Sequence, residues 1–323
     1  MLLRIALVVA ALVVIAAAIV AAAIAFDEPA APPVLAAGDS VPGIDRWNLG
    51  ELPATQTLKA RDGAPLLHRV YPGRPDRAVV LVHGSSGSGT EMMKVAQALQ
   101  AEGATVYSIS LRGHGGSGTR NGDVSYVGQL EDDLADLVEG LGLDRQGVRR
   151  TLAGFSAGGG FVLRVAGGGR AGLFDDYLAI SPYIAFDSPT SKPNSGGWAD
   201  VALPRVVALS VLDRLGLPWF QGLPVIHFAT NARAEENRTP VYSFRLMASI
   251  QLGRDWRAVM ARITAPTTIV VGSDDELFDS GQFQPMLQAV NPRISLAVVP
   301  GQTHLGMLAD AAATAAIAAA WRK

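Results

Sequence analysis

The stretch Gly154-Phe155-Ser156-Ala157-Gly158-Gly159 lies where a short strand-like run, Arg149 to Ala153, gives way to small residues patterned as a helix. A serine flanked by glycines at such a junction is the pattern of a nucleophile elbow. The turn is so sharp that its serine takes a strained backbone conformation, with the hydroxyl pushed out above the sheet. A Cβ at either flanking glycine would strike the neighbouring strand or helix. The amide of Ala157, at the start of the new helix, is then free to bind a developing oxyanion. With 35 glycines in the chain, the motif alone is weak, and an ordinary glycine-rich turn is the alternative. Its surroundings decide.

Working outward, Thr55 to Ala60 and Pro65 to Tyr71 flank Arg61-Asp62-Gly63, an Asp-Gly turn signal, and predict an antiparallel hairpin. Ala78 to His83 is a continuous apolar run, as in a strand buried on both faces. A helix follows over Glu91 to Glu102, then a strand over Thr105 to Ser110 and a helix from about Val127 to Leu141. Beyond the elbow, Tyr177 to Ser181, Thr267 to Val271 and Ile294 to Val299 read as strands. Helices are expected near Gly281 to Val290 and over Asp310 to Trp321. Strands alternating with helices imply an α/β architecture with a mostly parallel sheet covered on both faces. Residues 183–265 break the alternation and are rich in Pro, Met and aromatic residues, among them Trp198, Trp219, Tyr242 and Trp256. They read as an insertion with its own small core, placed as a lid over a site at the strand ends.

Serine chemistry needs a base, an acid that orients it and an oxyanion hole. Of five histidines, only His304 follows both the elbow and a candidate acid at a strand end. The alternative for His304 is a loop histidine capping the last helix. The acid lies in Gly272-Ser273-Asp274-Asp275-Glu276, and this reading leaves Asp274 and Asp275 both open. The second oxyanion amide is expected from Ser85, in the Gly/Ser loop opened by His83-Gly84. That loop carries no nucleotide-binding glycine pattern.

These motifs, in order, resemble the α/β-hydrolase superfamily. Within it the chain is similar to the lysophospholipase and monoacylglycerol-lipase-like (serine aminopeptidase S33-type) hydrolases over about residues 55 to 321. The Arg61-Asp62-Gly63 turn, His83-Gly84, Leu111-Arg112-Gly113-His114-Gly115-Gly116-Ser117, the elbow, Gly272 to Asp275, and Gly301-Gln302-Thr303-His304 carry the resemblance. It implies Asp275 as the acid, three residues after the glycine, and a structural role for the His114 loop. It also implies hydrolysis of a small or lipid acyl ester by Ser156, His304 and Asp275, with no cofactor and no metal. An exopeptidase on the same triad, with Glu235 and Glu236 holding the substrate amine, and a non-catalytic binding protein are the alternatives.

Of 323 residues, 27 are basic and 29 acidic, with no basic block, which argues against a nucleic-acid partner. The absence of cysteine excludes disulfides, a cysteine nucleophile and cysteine-linked lipid anchors. Ile5 to Phe26 is uncharged and long enough as a helix to cross a bilayer. Arg4 before it, with Asp27 and Glu28 after it, predicts a cytoplasmic N-terminus and an extracytoplasmic catalytic domain. A signal peptide cleaved after Ala23-Ile24-Ala25 is the alternative. The expected organisation is an anchor over 1–26, a Pro/Ala-rich tether over 27–54, a hydrolase core over 55–182 and 266–323, and the insertion over 183–265.

Overall fold

The computed structural model describes residues 1–31, 51–193, 198–229 and 238–322. The chain opens with helix α1 (Leu2–Phe26). It continues through strands β1 (Gln56–Lys59), β2 (Pro65–Tyr71) and β3 (Arg74–Val82), a 3-10 turn (Gly89–Met92) and helix α2 (Met93–Ala101). Then come β4 (Ala104–Ile109), α3 (Gln129–Gly140), β5 (Arg149–Phe155), α4 (Ala157–Ala166) and β6 (Asp176–Ile180). The insertion contributes β7 (Ala199–Val201), α5 (Leu203–Arg214), β8 (Pro224–Phe228), β9 (Val241–Ser243), α6 (Phe244–Ile250) and α7 (Trp256–Ala261). The chain closes with β10 (Thr267–Gly272), α8 (Ser280–Val290), β11 (Ser295–Val299), α9 (Gly306–Ala309) and α10 (Ala311–Trp321).

Eight strands form one sheet in the order β1-β2-β4-β3-β5-β6-β10-β11. Strand β2 runs antiparallel to both of its neighbours, and every other pairing is parallel. The expected hairpin forms, with Lys59 opposite Pro65. The centre of the sheet explains the unbroken apolar run. In β3, Ala78, Val80 and Val82 join one core cluster, while Val79 and Leu81 join another on the opposite face. Side chains alternate across a strand, so a strand covered on both faces must be apolar throughout. Helices α3, α4 and α8 and the insertion cover the first face; α2, α9 and α10 cover the second. The expected α/β fold, with helices on both faces of a mostly parallel sheet, is borne out.

Three local expectations change. The helix expected from Glu91 begins at Met93, after the 3-10 turn. Residues 183–265, expected to hold no regular repeat, build a three-stranded antiparallel sheet in the order β7-β8-β9. The expected tether is held from its first residues. Asp27 Oδ2 accepts from the amide of Arg205 at 3.0 Å, and the amide of Ala30 donates to Asp200 Oδ2 at 2.7 Å. Residues 32–50 of that segment, and Glu235 and Glu236 of the exopeptidase alternative, lie outside the described residues. Helix α1 is long and apolar enough to cross a membrane, and none of its residues is buried. An anchor and a signal sequence both fit it.

Candidate active site

The elbow is a sharp backbone turn. Ser156 has φ 55° and ψ −118°, a left-handed region costly for any residue with a Cβ. Its own backbone is pinned to hold it there. The Ser156 amide donates to Ile180 O at 2.9 Å, and Ser156 O accepts from the amides of Gly160 and Tyr183, both at 3.0 Å. A Cβ on Gly158 would lie 2.2 Å from the carbonyl oxygen of His83. Glycine is therefore required where α4 crosses the end of β3.

The structure brings Ser156, His304 and Asp275 together. His304 Nε2 lies 3.0 Å from Ser156 Oγ, and His304 Nδ1 lies 2.8 Å from Asp275 Oδ2. Both His304 and Asp275 are buried. The other carboxyl oxygen of Asp275 accepts from the amides of Leu277 and Phe278, each at 2.9 Å. Burial pushes the Asp275 carboxyl up, but the His304 hydrogen bond, its charge and the two amides outweigh burial and leave it below its ordinary value. With Asp275 ionised, Nδ1 of His304 carries the proton and Nε2 is left facing Ser156 as an acceptor.

The acidic run divides its labour. Asp274 accepts from Ser273 Oγ at an exposed position, and Glu276 Oε2 accepts from the backbone amide of His304 at 2.8 Å. The loops after β10 and β11 are fastened together, because the amide of Asp274 donates to Gln302 O at 3.0 Å and that of Gly301 to Ser273 Oγ at 2.7 Å. They touch so closely that a Cβ on Gly272 would lie 2.1 Å from Gln302 O.

Of the residues expected to supply the oxyanion amides, Ala157 follows the serine directly, and Gly84, the residue before Ser85, lies against it, because a Cβ there would come 3.3 Å from Ser156 Cβ. Ala157 is the first residue of α4, where a helix leaves its amides without intrahelical partners. The amide of Ser85 is oriented indirectly. Leu111 N donates to His83 Nε2 at 3.1 Å, so Nδ1 carries the proton and donates to Gly84 O at 2.8 Å. In a trans peptide the C=O and the next N–H point opposite ways. Fixing Gly84 O therefore fixes the direction of the Ser85 N–H. Burial depresses the His83 pKa to about 4, and this keeps the ring in the neutral form the arrangement needs.

Four residues of the site escape sequence reasoning. Phe155 and Phe278 pack on the His304 ring, with ring centroids at 4.7 and 5.0 Å. Lys192 Nζ donates to Asp275 O at 2.5 Å. Tyr242, from the insertion, accepts from the amide of Ser86 at 2.8 Å and donates to His114 Nε2 at 2.5 Å. It thereby links the insertion to the loop bearing Ser85, a link reinforced by the Arg238–Glu91 ion pair at 3.0 Å and by Thr239 N donating to Ser86 O at 3.1 Å. Only the residue type of the two phenylalanines and the tyrosine signals their placement. The His114 loop, expected to be structural, buries its histidine against Tyr242. Among the described residues no group of three His, Asp or Glu side chains could hold a metal ion.

An eight-stranded sheet of this order, with a serine elbow after β5 and loops after β10 and β11 converging on it, defines an α/β hydrolase. The chain belongs to the family described as serine aminopeptidase, S33, whose model matches residues 73–310. A curated relative, the monoacylglycerol lipase of Mycolicibacterium smegmatis (strain ATCC 700084 / mc(2)155), is 27% identical over 244 residues, covering 71% of this chain and 81% of its own. Among solved structures, a soluble variant of monoglyceride lipase from Saccharomyces cerevisiae is similar at a TM-score of 0.63 and 18% identity, covering 82% of this chain and 92% of its own. The monoacylglycerol lipase of Paleococcus ferrophilus is similar at a TM-score of 0.57 and 21% identity, covering 79% and 98%. At these identities the two structures establish the fold.

Proposed function

We propose that the chain is a serine hydrolase of carboxylic acyl esters, small or lipid. Ser156 is the nucleophile, His304 the general base and acid, and Asp275 the orienting carboxylate. His304 Nε2 takes the proton of Ser156 Oγ as that oxygen attacks the acyl carbonyl. The amides of Ser85 and Ala157 hold the negative charge that develops on the carbonyl oxygen. His304 then gives its proton to the departing alcohol. Water, deprotonated by the same nitrogen, attacks the acyl-enzyme; the bond to Ser156 Oγ breaks, His304 returns that proton to Oγ, and the acid leaves. The single observation that carries this reading is the relay from Asp275 through His304 to Ser156, at 2.8 and 3.0 Å.

Acyl ester as the substrate class is supported by the relatives, two of which are named monoacylglycerol lipases and one monoglyceride lipase. Residues 183–265 serve as a lid over the site; the fastening of Arg238, Thr239 and Tyr242 to the Ser85 loop supports this. Helix α1 anchors the chain in a bilayer with the catalytic domain on the extracytoplasmic side, a topology supported by Arg4 before the helix and Asp27 and Glu28 after it.

A fluorophosphonate probe tests the reading. It labels the wild type and not Ser156→Ala; equal labelling of both, or of neither, refutes it. The family description also names an aminopeptidase, so aminoacyl arylamides belong beside aryl esters in the substrate panel. Turnover of the arylamides alone overturns the ester assignment and leaves the triad intact.

A further inference from the structure

Helix α5 is apolar on two sides. Arg205, Ala208 and Leu209 face inward and are buried. Leu203, Val207, Val211 and Leu215 recur every fourth residue on the other side, which places them on one face. With Trp219 and Phe220 just beyond, these six side chains are 40–68% exposed. Among the described residues, eight of the ten strongly exposed large hydrophobic side chains that follow α1 fall between Phe186 and Phe220. A soluble surface rarely concentrates apolar side chains in this way.

What covers it follows from α1. That helix packs on α5, and its half-buried residues Val20, Ala23, Ile24 and Asp27 share one face over its last two turns. Leu2 to Ile19 stays clear of the rest of the protein. With Arg4 at the inner edge, Ile5 to Ile19 measures about 22 Å at 1.5 Å each, so the ~30 Å of a bilayer's hydrocarbon core is completed by the last two turns of α1. The end of α1, where Asp27 and Glu28 leave it, and α5 packed beside it therefore fall at the outer boundary between lipid tails and headgroups. The junction is clamped. Helix α5 lacks a capping side chain of its own. Asp27 supplies the carboxylate instead, accepting from the amide of Arg205 in its first turn, and Glu28 lies 3.4 Å from the Arg205 guanidinium. A carboxylate at a helix N-terminus satisfies a free amide and complements the helix dipole.

We propose that α1 and α5 form one membrane-seated unit, in which the carboxylates leaving α1 clamp the start of α5 and the stripe from Leu203 to Phe220 rests in the interfacial layer of the bilayer that α1 enters. The anchor is thus fixed to the insertion beside the site. The proposal rests on the reading of α1 as a membrane anchor and is independent of the ester chemistry.

The chain has no cysteine, so one introduced thiol carries a unique probe. The full-length chain is reconstituted in phosphatidylcholine vesicles with an environment-sensitive fluorophore on Val211→Cys, Lys59→Cys or Leu12→Cys. A headgroup-level lipid quencher is expected to quench the Val211→Cys probe severalfold more than the Lys59→Cys probe, and aqueous iodide to do the reverse. Iodide reaching the Val211→Cys and Lys59→Cys probes equally, while sparing the Leu12→Cys probe, overturns the proposal alone. Iodide reaching all three overturns the anchor reading. Shielding of the Val211→Cys probe from both quenchers means that a second copy covers the stripe, and also overturns the proposal. Adding Asp27→Ala is expected to raise iodide access at Val211→Cys; an unchanged pattern refutes the clamp.

Discussion

Replacing Asp275 by asparagine separates orientation of the base from folding. Asp275 Oδ1 accepts from two backbone amides and Oδ2 from His304 Nδ1. An asparagine has one oxygen and one NH₂ group. If its NH₂ faced Leu277 and Phe278, donor would meet donor at two buried amides, so the oxygen must stay there and the NH₂ must face His304. Nδ1 is then forced to accept, the ring proton moves to Nε2, and the atom facing Ser156 can no longer take a proton. By analogy with serine proteases, loss of the correct tautomer costs about 10⁴ in turnover, or about 5 kcal/mol of barrier. Both amides keep their acceptor, so the fold survives. Initial rates on a soluble aryl ester, read beside the melting curve, test this, with Asp274→Asn as the control. The Asp274 side chain accepts from its neighbour Ser273 at the surface, and its backbone bond to Gln302 is kept in the variant, so Asp274→Asn should stay within a few-fold of wild type. The reasoning is refuted if Asp275→Asn keeps a tenth of the activity, or if Asp274→Asn loses as much.

Gly158→Ala places a Cβ 2.2 Å from a backbone oxygen that cannot swing aside. It should cost more than the roughly 1–3 kcal/mol of ordinary overpacking, visible as a lower melting temperature or loss of soluble protein. Tyr242→Phe strips the acceptor from the buried Ser86 amide. It should cost about 1–3 kcal/mol and lower kcat on the soluble ester, because the next residue back is Ser85; an unchanged kcat removes Tyr242 from the positioning of that loop. Acid stability carries a further signature. Asp275 sits below its ordinary carboxyl range when folded, so the unfolded chain binds that proton more readily. The stabilisation is full well above about pH 4 and is lost as pH falls through the depressed value. Asp275→Asn should flatten the decline in urea midpoint between neutral and acid pH, and an unaltered slope contradicts the assignment.

The strands flanking the elbow were legible because burial on both faces leaves a strand no choice but to be apolar, as Ala78–Val82 is. The positions of Ser156, Asp275 and His304 were legible because each follows a strand whose end is fixed by the sheet. The insertion was not. Strands β7 and β9 have three residues each, too few for alternation to register. Helix α5 shows no amphipathic period because apolar residues line both its sides. Tyr242 meets His114 across 128 residues of chain, and nothing local in either segment announces that meeting.

The order of the sheet also sets a timetable. Strand β6 pairs with β10, yet the whole insertion is made between them, and His304 follows Ser156 by 148 residues. At roughly 5–20 residues per second, that gap takes roughly 7–30 s to synthesise. Throughout it the growing chain owns a serine but no base, while its apolar first helix is already complete. On the proposed mechanism, a chain released before β11 and the loop that carries His304 is inert.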